Sequence, residues 1–287
     1  VHGNLPALEA ALADARQQGA TTFWAAGDLT LGGPYPLQTL SRLQELDCRM
    51  ILGNSEQYVL DFDAGRFPEL AHTSQQWAPL RWTHRRMTPE ALVFLQGLPQ
   101  QAIFTAGGAQ PARMVHGSPR KINEGLIPYG VPELVTIFEA ANLSAQFPSG
   151  NTNLSEIWPE VAEPLFICGH THIPWAQQQG ERLALNPGSV GTPINGDRRT
   201  QYALLHWDGL RWQAHLRAVP YDLELIRQGY RQTGLQDEGG AFARACLLSN
   251  ETGLNVAWFY VAHLLALARQ NGVEVAGGFP DDLWFEG

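Results

Sequence analysis

Six side chains able to bind metal ions occur in short glycine-containing motifs spread over the first 172 residues of the chain. They are His2, Asp28, Asn54, His116, His170 and His172, in the motifs V-H-G-N, G-D, G-N-S-E, V-H-G and G-H-T-H. Imidazole, carboxylate and amide groups bind divalent transition metals, and two ions held close together need a carboxylate that bridges them. Asp28 is the one carboxylate of the six and is the predicted bridge. The set therefore predicts a two-metal hydrolase site.

The spacing of His170 and His172 predicts a turn in the G-H-T-H motif. Residues two apart point to opposite faces of a regular strand, so both imidazoles can reach one site only from a turn. Gly169 before the pair and Pro174 after it permit such a turn. Glycines beside the other motif residues also allow the backbone to pass close to a bound phosphate.

The elements that carry the first motifs follow from hydrophobic periodicity. Helices are predicted over residues 5–18 and 35–46, and strands over residues 22–26 and 49–52. The two strands end at Gly27-Asp28 and Gly53-Asn54, respectively. Strand, helix and strand form a βαβ unit, in which ligands bind at the carboxyl ends of the strands. Asp28 and Asn54 are therefore expected at one edge of a sheet.

The rest of the chain predicts further strands and then helices. Residues 77–98 look helical, with Thr88-Pro89-Glu90 as a helix start. Strands are predicted over residues 102–105, 112–116, 164–168, 183–185, 202–206 and 212–217. From Asp222 onward the pattern is helical and carries no further motif. We therefore predict an α/β domain over residues 1–221 and a helical C-terminal extension, residues 222–287, packed on the same domain.

Composition limits the classes of partner. The net charge of −9 argues against a protein that mainly binds nucleic-acid polymers, because such proteins need a basic surface. Three widely spaced cysteines favour reduced thiols and a cytoplasmic location. The most apolar stretch, residues 256–268, is too short to cross a membrane. Its helix either packs on the core, covers the site or forms a homo-oligomer.

Together the motifs resemble the calcineurin-like metallophosphoesterase superfamily, whose motifs read Asp-x-His, Gly-Asp, Gly-Asn-His-Asp/Glu, Gly-His and Gly-His-x-His. The resemblance covers residues 1–221 and is greatest to its branch of small bacterial phosphodiesterases. Three stretches carry that likeness: H-G-N-L-P-A-L-E-A, G-D-L followed by G-P-Y-P, and N-P-G-S-V-G. The resemblance implies a four-layer α/β/β/α sandwich and two divalent metal ions, which are Mn, Fe, Zn, Co or Ni.

The resemblance also implies ligand sets. One ion is expected on His2, Asp28 and His172, and the other on Asp28, Asn54, His116 and His170. Asn54 is also expected to contact the phosphate of the substrate. Among catalytic residues we count Asn54, Asp28 and Glu56. Glu56 is expected to orient a metal-bound water or its neighbours or, alternatively, to lie as a plain surface carboxylate. Arg198, beside Arg199 and just after a turn, is expected either to bind the substrate phosphate or to be solvated.

Two departures from the family pattern modify these expectations. The first-motif aspartate of the family would immediately precede Val1, so we expect the native protein to have further upstream residues that supply it and a first strand. Ser55 occupies the place of the histidine in Gly-Asn-His-Asp/Glu, and a serine cannot act as a general acid near neutral pH. The Asp-Arg-Gly that follows the second motif in the protein phosphatases of the superfamily is absent too. Both changes favour substrates with good leaving groups.

The predicted function is therefore two-metal-dependent hydrolysis of small-molecule phosphodiesters of the nucleotide type, by a metal-bridging hydroxide. Two enzymatic alternatives are a dinucleoside polyphosphate hydrolase and a phosphomonoesterase. A third alternative is a catalytically silent member of the fold that serves as a binding module.

Overall fold

The first part of the chain alternates helices with short parallel strands. The computed structural model describes residues 1–128, 151–275 and 278–286. Its first elements are α1 (Leu5–Gln17), β1 (Trp24–Ala25), α2 (Pro36–Glu45), β2 (Arg49–Met50) and α3 (Asn54–Asp63). Helix α1 begins where the Asn4 side chain accepts a hydrogen bond from the Ala7 N–H at 3.2 Å. Strands β1 and β2 pair in parallel, so their carboxyl ends lie side by side.

Among the described residues up to 221, two helices and nine strands follow, together with one short helix. They are α4 (Ala78–His84), α5 (Pro89–Gln96), β3 (Gln101–Phe104), β4 (Ala112–Val115), β5 (Gly125–Ile127), β6 (Asn151–Asn153), α6 (Leu154–Ile157), β7 (Leu165–Ile167), β8 (Trp175–Gln179), β9 (Arg182–Asn186), β10 (Thr200–Trp207) and β11 (Trp212–Val219). Five of these strands form a sheet in the order β3-β4-β7-β9-β8, with β4, β7 and β9 parallel and both edge strands antiparallel. Strands β10 and β11 form a long antiparallel hairpin.

Alternation of side chains across the strands divides the core into layers. Ile51 packs with Met114 and Leu185 of the five-stranded sheet and with Trp212 of the hairpin. The preceding residue, Met50, instead packs against the helices. A second apolar cluster joins β1 and β2 to α1, α2, α3 and α5, and a third covers the other face of the five-stranded sheet with α6 and the turn after it. This arrangement confirms the predicted four-layer α/β/β/α sandwich.

Helices make up the described part of the chain after residue 222. They are α7 (Leu223–Gln232), α8 (Leu235–Glu238), α9 (Gly240–Thr252), α10 (Val256–Gln270) and α11 (Asp281–Glu286). Ile226 and Tyr230 of α7 pack on Trp82 of α4, and the Tyr230 hydroxyl donates to the Gly32 carbonyl at 2.5 Å. Among the helices described, none combines the length and the apolar character that a membrane span requires. The domain boundary at residue 221 stays a prediction.

Among its described residues before 222, the structure contains five elements that the sequence does not predict, which are α3, β5, β6, α6 and β8. Asn54 is expected only at the end of a strand, but it also begins helix α3. Strand β8 was not predicted either, since its glutamines carry no apolar alternation. The helix predicted over residues 77–98 is two helices, because the Thr88 side chain accepts a hydrogen bond from the Ala91 N–H and starts α5 afresh.

Candidate metal centre

The six candidate ligands meet at one edge of the strands. Asp28 follows β1, Asn54 begins α3 after β2, His116 follows β4, His170 and His172 lie in the loop after β7, and His2 precedes α1. Because β1 pairs in parallel with β2, and β4 with β7, the carboxyl ends of each pair lie together. The backbone N–H of Gly169 donates to the His116 carbonyl at 2.7 Å, which joins the last two motifs directly.

The ligand atoms form two groups that share one carboxylate. We call Asp28, His116 and His170 the inner group, and His2, Asp28 and His172 the outer group. Within each group the candidate ligand atoms all lie within 4.8 Å of one another. Asp28 Oδ2 lies 3.2 Å from His2 Nε2, 3.3 Å from His116 Nε2 and 3.8 Å from His172 Nε2. A single oxygen therefore faces imidazoles of both groups.

Ser55 holds the other oxygen of Asp28. The Ser55 backbone N–H donates to Asp28 Oδ1 at 3.0 Å, and the Ser55 hydroxyl donates to the same oxygen at 2.7 Å. Ser55 lies in the first turn of α3, where backbone N–H groups lack partners within the helix and favour negative charge. These two hydrogen bonds turn Oδ2 towards the histidines.

Hydrogen bonds to backbone carbonyls orient three of the imidazoles. The Nδ1 atoms of these rings face the following carbonyls: His2 that of Leu31 at 2.7 Å, His116 that of Ala26 at 2.6 Å, and His172 that of Thr192 at 2.8 Å. A carbonyl only accepts, so in the neutral ring Nδ1 carries the proton and Nε2 has a free lone pair. This second hydrogen bond is typical of histidines that bind metals through Nε2.

The lone pairs of the site face each other. His2 Nε2 lies 2.9 Å from His172 Nε2, although both are acceptors in the tautomers described. Asn54 Oδ1 lies 2.9 Å from His116 Nε2, which is an acceptor in its described tautomer, and 2.9 Å from His170 Nδ1, which can donate to it. Acceptors at such distances repel each other unless a cation lies between them, so the residues fit divalent metal ions. The mixed nitrogen and oxygen donors do not select among Mn, Fe, Zn, Co and Ni.

The charges of His170, His172 and Asp28 match those of metal ligands. Burial lowers the pKa of His170 to about 3, helped by the neighbouring His116, and burial lowers the pKa of His172 to about 4. Burial alone would raise the pKa of Asp28, but His116 and His2 hold it well below its ordinary value. His170 and His172 are therefore neutral and Asp28 is ionised near neutral pH, as metal binding requires.

Four of the candidate ligands have a left-handed backbone. Their φ angles are 58° for His2, 53° for Asp28, 63° for His170 and 57° for His172. Few residues other than glycine adopt this conformation, and it costs about 1–2 kcal/mol for an L-residue. At His170 and His172 it provides the turn that their spacing predicts, and both imidazoles reach the site.

Two of the motif glycines are required by close backbone approach. Gly27 has a φ of 78°, and a Cβ there would lie 2.6 Å from the Gly53 Cα and 2.7 Å from His116 Nδ1. A Cβ at Gly53 would lie 2.2 Å from the Asp28 backbone nitrogen. Larger residues at either position would push apart the loops that carry Asp28, Asn54 and His116.

Glu56 does not lie on the surface, which was the alternative that the sequence left open for it. Its side chain is fully buried, not on the surface. Glu56 Oε1 accepts hydrogen bonds from the backbone N–H groups of Leu29 and Thr30 at 2.8 and 3.0 Å, and Oε2 accepts one from the Gly53 N–H at 3.1 Å. Glu56 thus joins the loops after β1 and β2, and both of its oxygens are already occupied. These contacts fit the expectation that Glu56 orients its neighbours and exclude a plain surface carboxylate, and a catalytic role stays a prediction.

Arg198 has the solvent-exposed position that one of its two alternatives predicts. It lies exposed in the loop before β10, and its side chain makes no hydrogen bond or ion pair with the described residues. Arg199 instead binds Asp197, with Nη2 at 2.6 Å from Oδ2. The structure therefore brings neither arginine to the candidate ligands, and the solvated alternative describes Arg198 better.

Several residues near the site were not identified from the sequence as part of it. Asn186 Nδ2 donates to the Gly169 carbonyl at 2.6 Å and so fixes the start of the G-H-T-H turn. Asn4 Nδ2 lies 3.0 Å from the Gly191 carbonyl and 3.3 Å from Asn250 Oδ1 of α9. Asn186 and Gly191 belong to the N-P-G-S-V-G stretch, which was recognised by family likeness, but no local pattern indicated Asn250.

Comparisons with known proteins agree with this geometry. An uncharacterized protein of Methanocaldococcus jannaschii is 23% identical over 246 residues, which cover 78% of this chain and 86% of the relative. A metallophosphoesterase from Sphaerobacter thermophilus has the same fold, with a TM-score of 0.63, 24% identity, and coverage of 88% of this chain and 97% of its own. A hypothetical protein of Pyrococcus horikoshii gives a TM-score of 0.62 at 20% identity, covering 83% and 92%.

The family itself follows from the sequence match. The family model of the calcineurin-like phosphoesterase superfamily domain matches residues 1–209, which contain all six candidate ligands. The chain therefore belongs to the calcineurin-like phosphoesterase superfamily.

Proposed function

We propose that this protein is a two-metal-dependent phosphodiesterase that hydrolyses small-molecule phosphodiesters of the nucleotide type. The observation that carries the proposal is the position of Asp28 Oδ2, which faces imidazole nitrogens of both the inner and the outer group. In this proposal His2, Asp28 and His172 bind one ion, and Asp28, Asn54, His116 and His170 bind the other. Two bound divalent cations neutralise charge on a phosphoryl group and lower the pKa of water, which supplies the nucleophile.

The residues of the chain orient the reacting phosphate. Asn54 is the first residue of α3, so a phosphate near its amide would also lie near the positive end of the helix. Glu56 and Ser55 hold the Gly53-Asn54 and Gly27-Asp28 loops in fixed relation. These contacts place the amide and the carboxylate before the substrate arrives, which reduces the cost of reorganisation during the reaction.

Ser55 supports a diester rather than a phosphoprotein substrate. Its hydroxyl is buried and donates to Asp28 Oδ1, so it does not stand free to protonate a leaving group. Without a general acid at this position, the reaction depends on a leaving group that departs as a stable anion. Aryl phosphodiesters provide one, as do the anhydride bonds of dinucleoside polyphosphates. In a nucleotide phosphodiester the leaving oxygen is a sugar alkoxide, which the bound metal ions would have to stabilise. Dinucleoside polyphosphates remain the second candidate substrates.

The proposal is tested by hydrolysis of bis-p-nitrophenyl phosphate with Mn²⁺. We expect turnover by the wild-type chain and a loss of more than about 100-fold in Asp28→Ala, because both groups lose their shared ligand. Asp237→Ala removes an exposed aspartate of α8 and is the matched control. Elemental analysis should find two metal equivalents in the wild type and in the control.

A substrate panel separates the alternatives. The same preparation is assayed with p-nitrophenyl phosphate, a monoester, and with diadenosine tetraphosphate. A higher kcat/KM for the monoester than for the diester would contradict the proposal, and a higher value for the tetraphosphate would replace it with the second candidate. If the wild type hydrolyses none of these substrates faster than Asp28→Ala does, the result would favour a catalytically silent binding module.

We also propose a cytosolic location and small-molecule substrates rather than nucleic-acid polymers. Three free thiols, Cys48, Cys168 and Cys246, support the first, and the net charge of −9 supports the second. Fractionation of the native cells, with the protein detected by antibody, tests the location.

A further inference from the structure

One tyrosine beside the candidate metal centre is oriented with its polar end inward. Tyr58 lies four residues after Asn54 on α3, so the two side chains share a face of the helix. The Tyr58 hydroxyl is hydrogen-bonded to the Asn54 side chain. Burial of the hydroxyl, and then the charge of Asp28, raises the pKa of Tyr58. The hydroxyl is therefore inside the site, close to the candidate ligands.

The ring of the same residue is open to solvent. Tyr58 is 39% exposed, which is more than its hydroxyl alone could expose, so part of the ring faces solvent while the hydroxyl contacts Asn54. An apolar ring left exposed beside a candidate catalytic centre has a free surface on which a ligand can pack.

Neighbouring aromatic rings hold Tyr58 in position. Phe67 packs against it at right angles, with ring centroids 6.3 Å apart and an interplanar angle of 86°. Phe67 is in turn packed against Trp77, with centroids 4.9 Å apart. With its hydroxyl on Asn54 and its ring beside Phe67, Tyr58 is fixed at both ends. A fixed ring loses little conformational entropy when a ligand stacks on it.

We propose that Tyr58 is a specificity-determining residue, whose exposed ring stacks on the base or aryl group of the substrate while the phosphate lies at Asn54. This inference rests on the proposed function and adds the substrate feature that the protein recognises, an aromatic group near the phosphate. Stacking of a base on an aromatic side chain contributes roughly 5- to 150-fold in affinity. The protein should therefore prefer nucleotides to sugar phosphates.

Calorimetric titration of the Mn²⁺-loaded protein with AMP and with ribose 5-phosphate tests this inference. The two ligands carry the same phosphate and sugar, and only AMP has a base. We expect the wild type to bind AMP at least about 5-fold more tightly. Tyr58→Ala should bring the two dissociation constants together, whereas Tyr58→Phe should keep most of the difference because it keeps the ring.

The ratio of the two constants separates stacking from a purely structural role. Loss of the hydrogen bond to Asn54 would weaken both ligands alike and leave their ratio unchanged. Equal binding of AMP and ribose 5-phosphate by the wild type, or an unchanged ratio in Tyr58→Ala, would overturn the stacking role while the proposed function stands. Absence of binding of either phosphate would instead contradict the proposed function.

Discussion

The inner and outer groups share Asp28 but are embedded differently. In the inner group the His116 side chain is 1% exposed and bonds to the carbonyl of Ala26, directly after β1. In the outer group the side chains of His2 and His172 are 13% and 16% exposed. Both of these histidines bond to carbonyls of loops. His170 of the inner group lies in the same loop as His172, so the difference concerns His116. The sheet positions His116, whereas loops and their supports position His2 and His172.

The supports of the outer group come partly from the C-terminal helices. Tyr230 of α7 donates to the Gly32 carbonyl, one residue after the Leu31 carbonyl that faces His2. Asn250 of α9 contacts the side chain of Asn4, which lies two residues after His2. The outer group should therefore respond to changes far away in sequence, and the inner group should not.

The sharpest test of this difference compares His116→Ala with His2→Ala. Each variant should lose about one of the two metal equivalents in elemental analysis, because each group loses a ligand. His116→Ala should also lower the free energy of unfolding of the metal-free protein by about 2–4 kcal/mol, since it leaves a cavity and an unpaired carbonyl in the core. The expected cost of His2→Ala is below about 1 kcal/mol. Equal costs in urea unfolding with EDTA would remove the distinction between the groups.

A smaller effect is expected from Tyr230→Phe. This variant removes only the hydroxyl that holds Gly32, so Mn²⁺ affinity should fall by about 5-fold. That decrease is smaller than the one expected when a group that is hydrogen-bonded directly to a metal ligand is removed. The loss should affect one of two binding steps in a Mn²⁺ titration. Tyr202→Phe is the matched control, because the Tyr202 hydroxyl bonds to Asp14 and not to the site loops. A decrease in both binding steps would show that the helices support the whole centre.

The smallest effect is expected at the contact between α1 and the β10–β11 hairpin. Asp14 accepts two hydrogen bonds from Arg217, at 2.6 and 2.9 Å, which lower the pKa of Asp14 below its ordinary 3.8. Asp14→Asn should cost about 0.5 kcal/mol of unfolding free energy at pH 6, because solvent screens the pair.

The pH dependence of that cost has a defined sign. A lowered pKa stabilises the folded state above the unfolded pKa, and the contribution is lost as the pH falls through the folded pKa. The difference between wild type and Asp14→Asn in urea unfolding should therefore be constant from pH 5 to 7 and shrink below about pH 4. A difference that persists at pH 2.5 would mean that packing, not charge, makes this contact.

The sequence predicts elements best where one local pattern decides them. Helix α1 is predicted within one residue at its end, because its apolar period is regular and Gly19 stops it. The turn at His170 and His172 is likewise predictable, since two ligands so close in sequence cannot otherwise meet. Both cases need only neighbouring residues and the geometry of the backbone.

The parts that could not be predicted depend on distant contacts. Glu56 looks like an ordinary helix carboxylate in the sequence, and its burial becomes visible only when the Leu29 and Thr30 N–H groups are placed beside it. Tyr58 is similar, because its inward hydroxyl depends on the position of Asn54 within the folded site. The sequence could not decide between the two alternatives for Arg198 for the same reason, because the direction of a loop is set by what it packs on.

The left-handed backbone at His2, Asp28, His170 and His172 also bears on how this lineage can evolve. Glycine adopts that conformation at no steric cost, so replacing any of the four with glycine would remove a ligand and relieve the backbone at once. Selection for stability alone would favour such replacements, and retention of the ligands opposes it. A descendant that no longer binds metal ions should accumulate glycine at these four positions. The residue types found there in related proteins would then indicate which of them have lost activity.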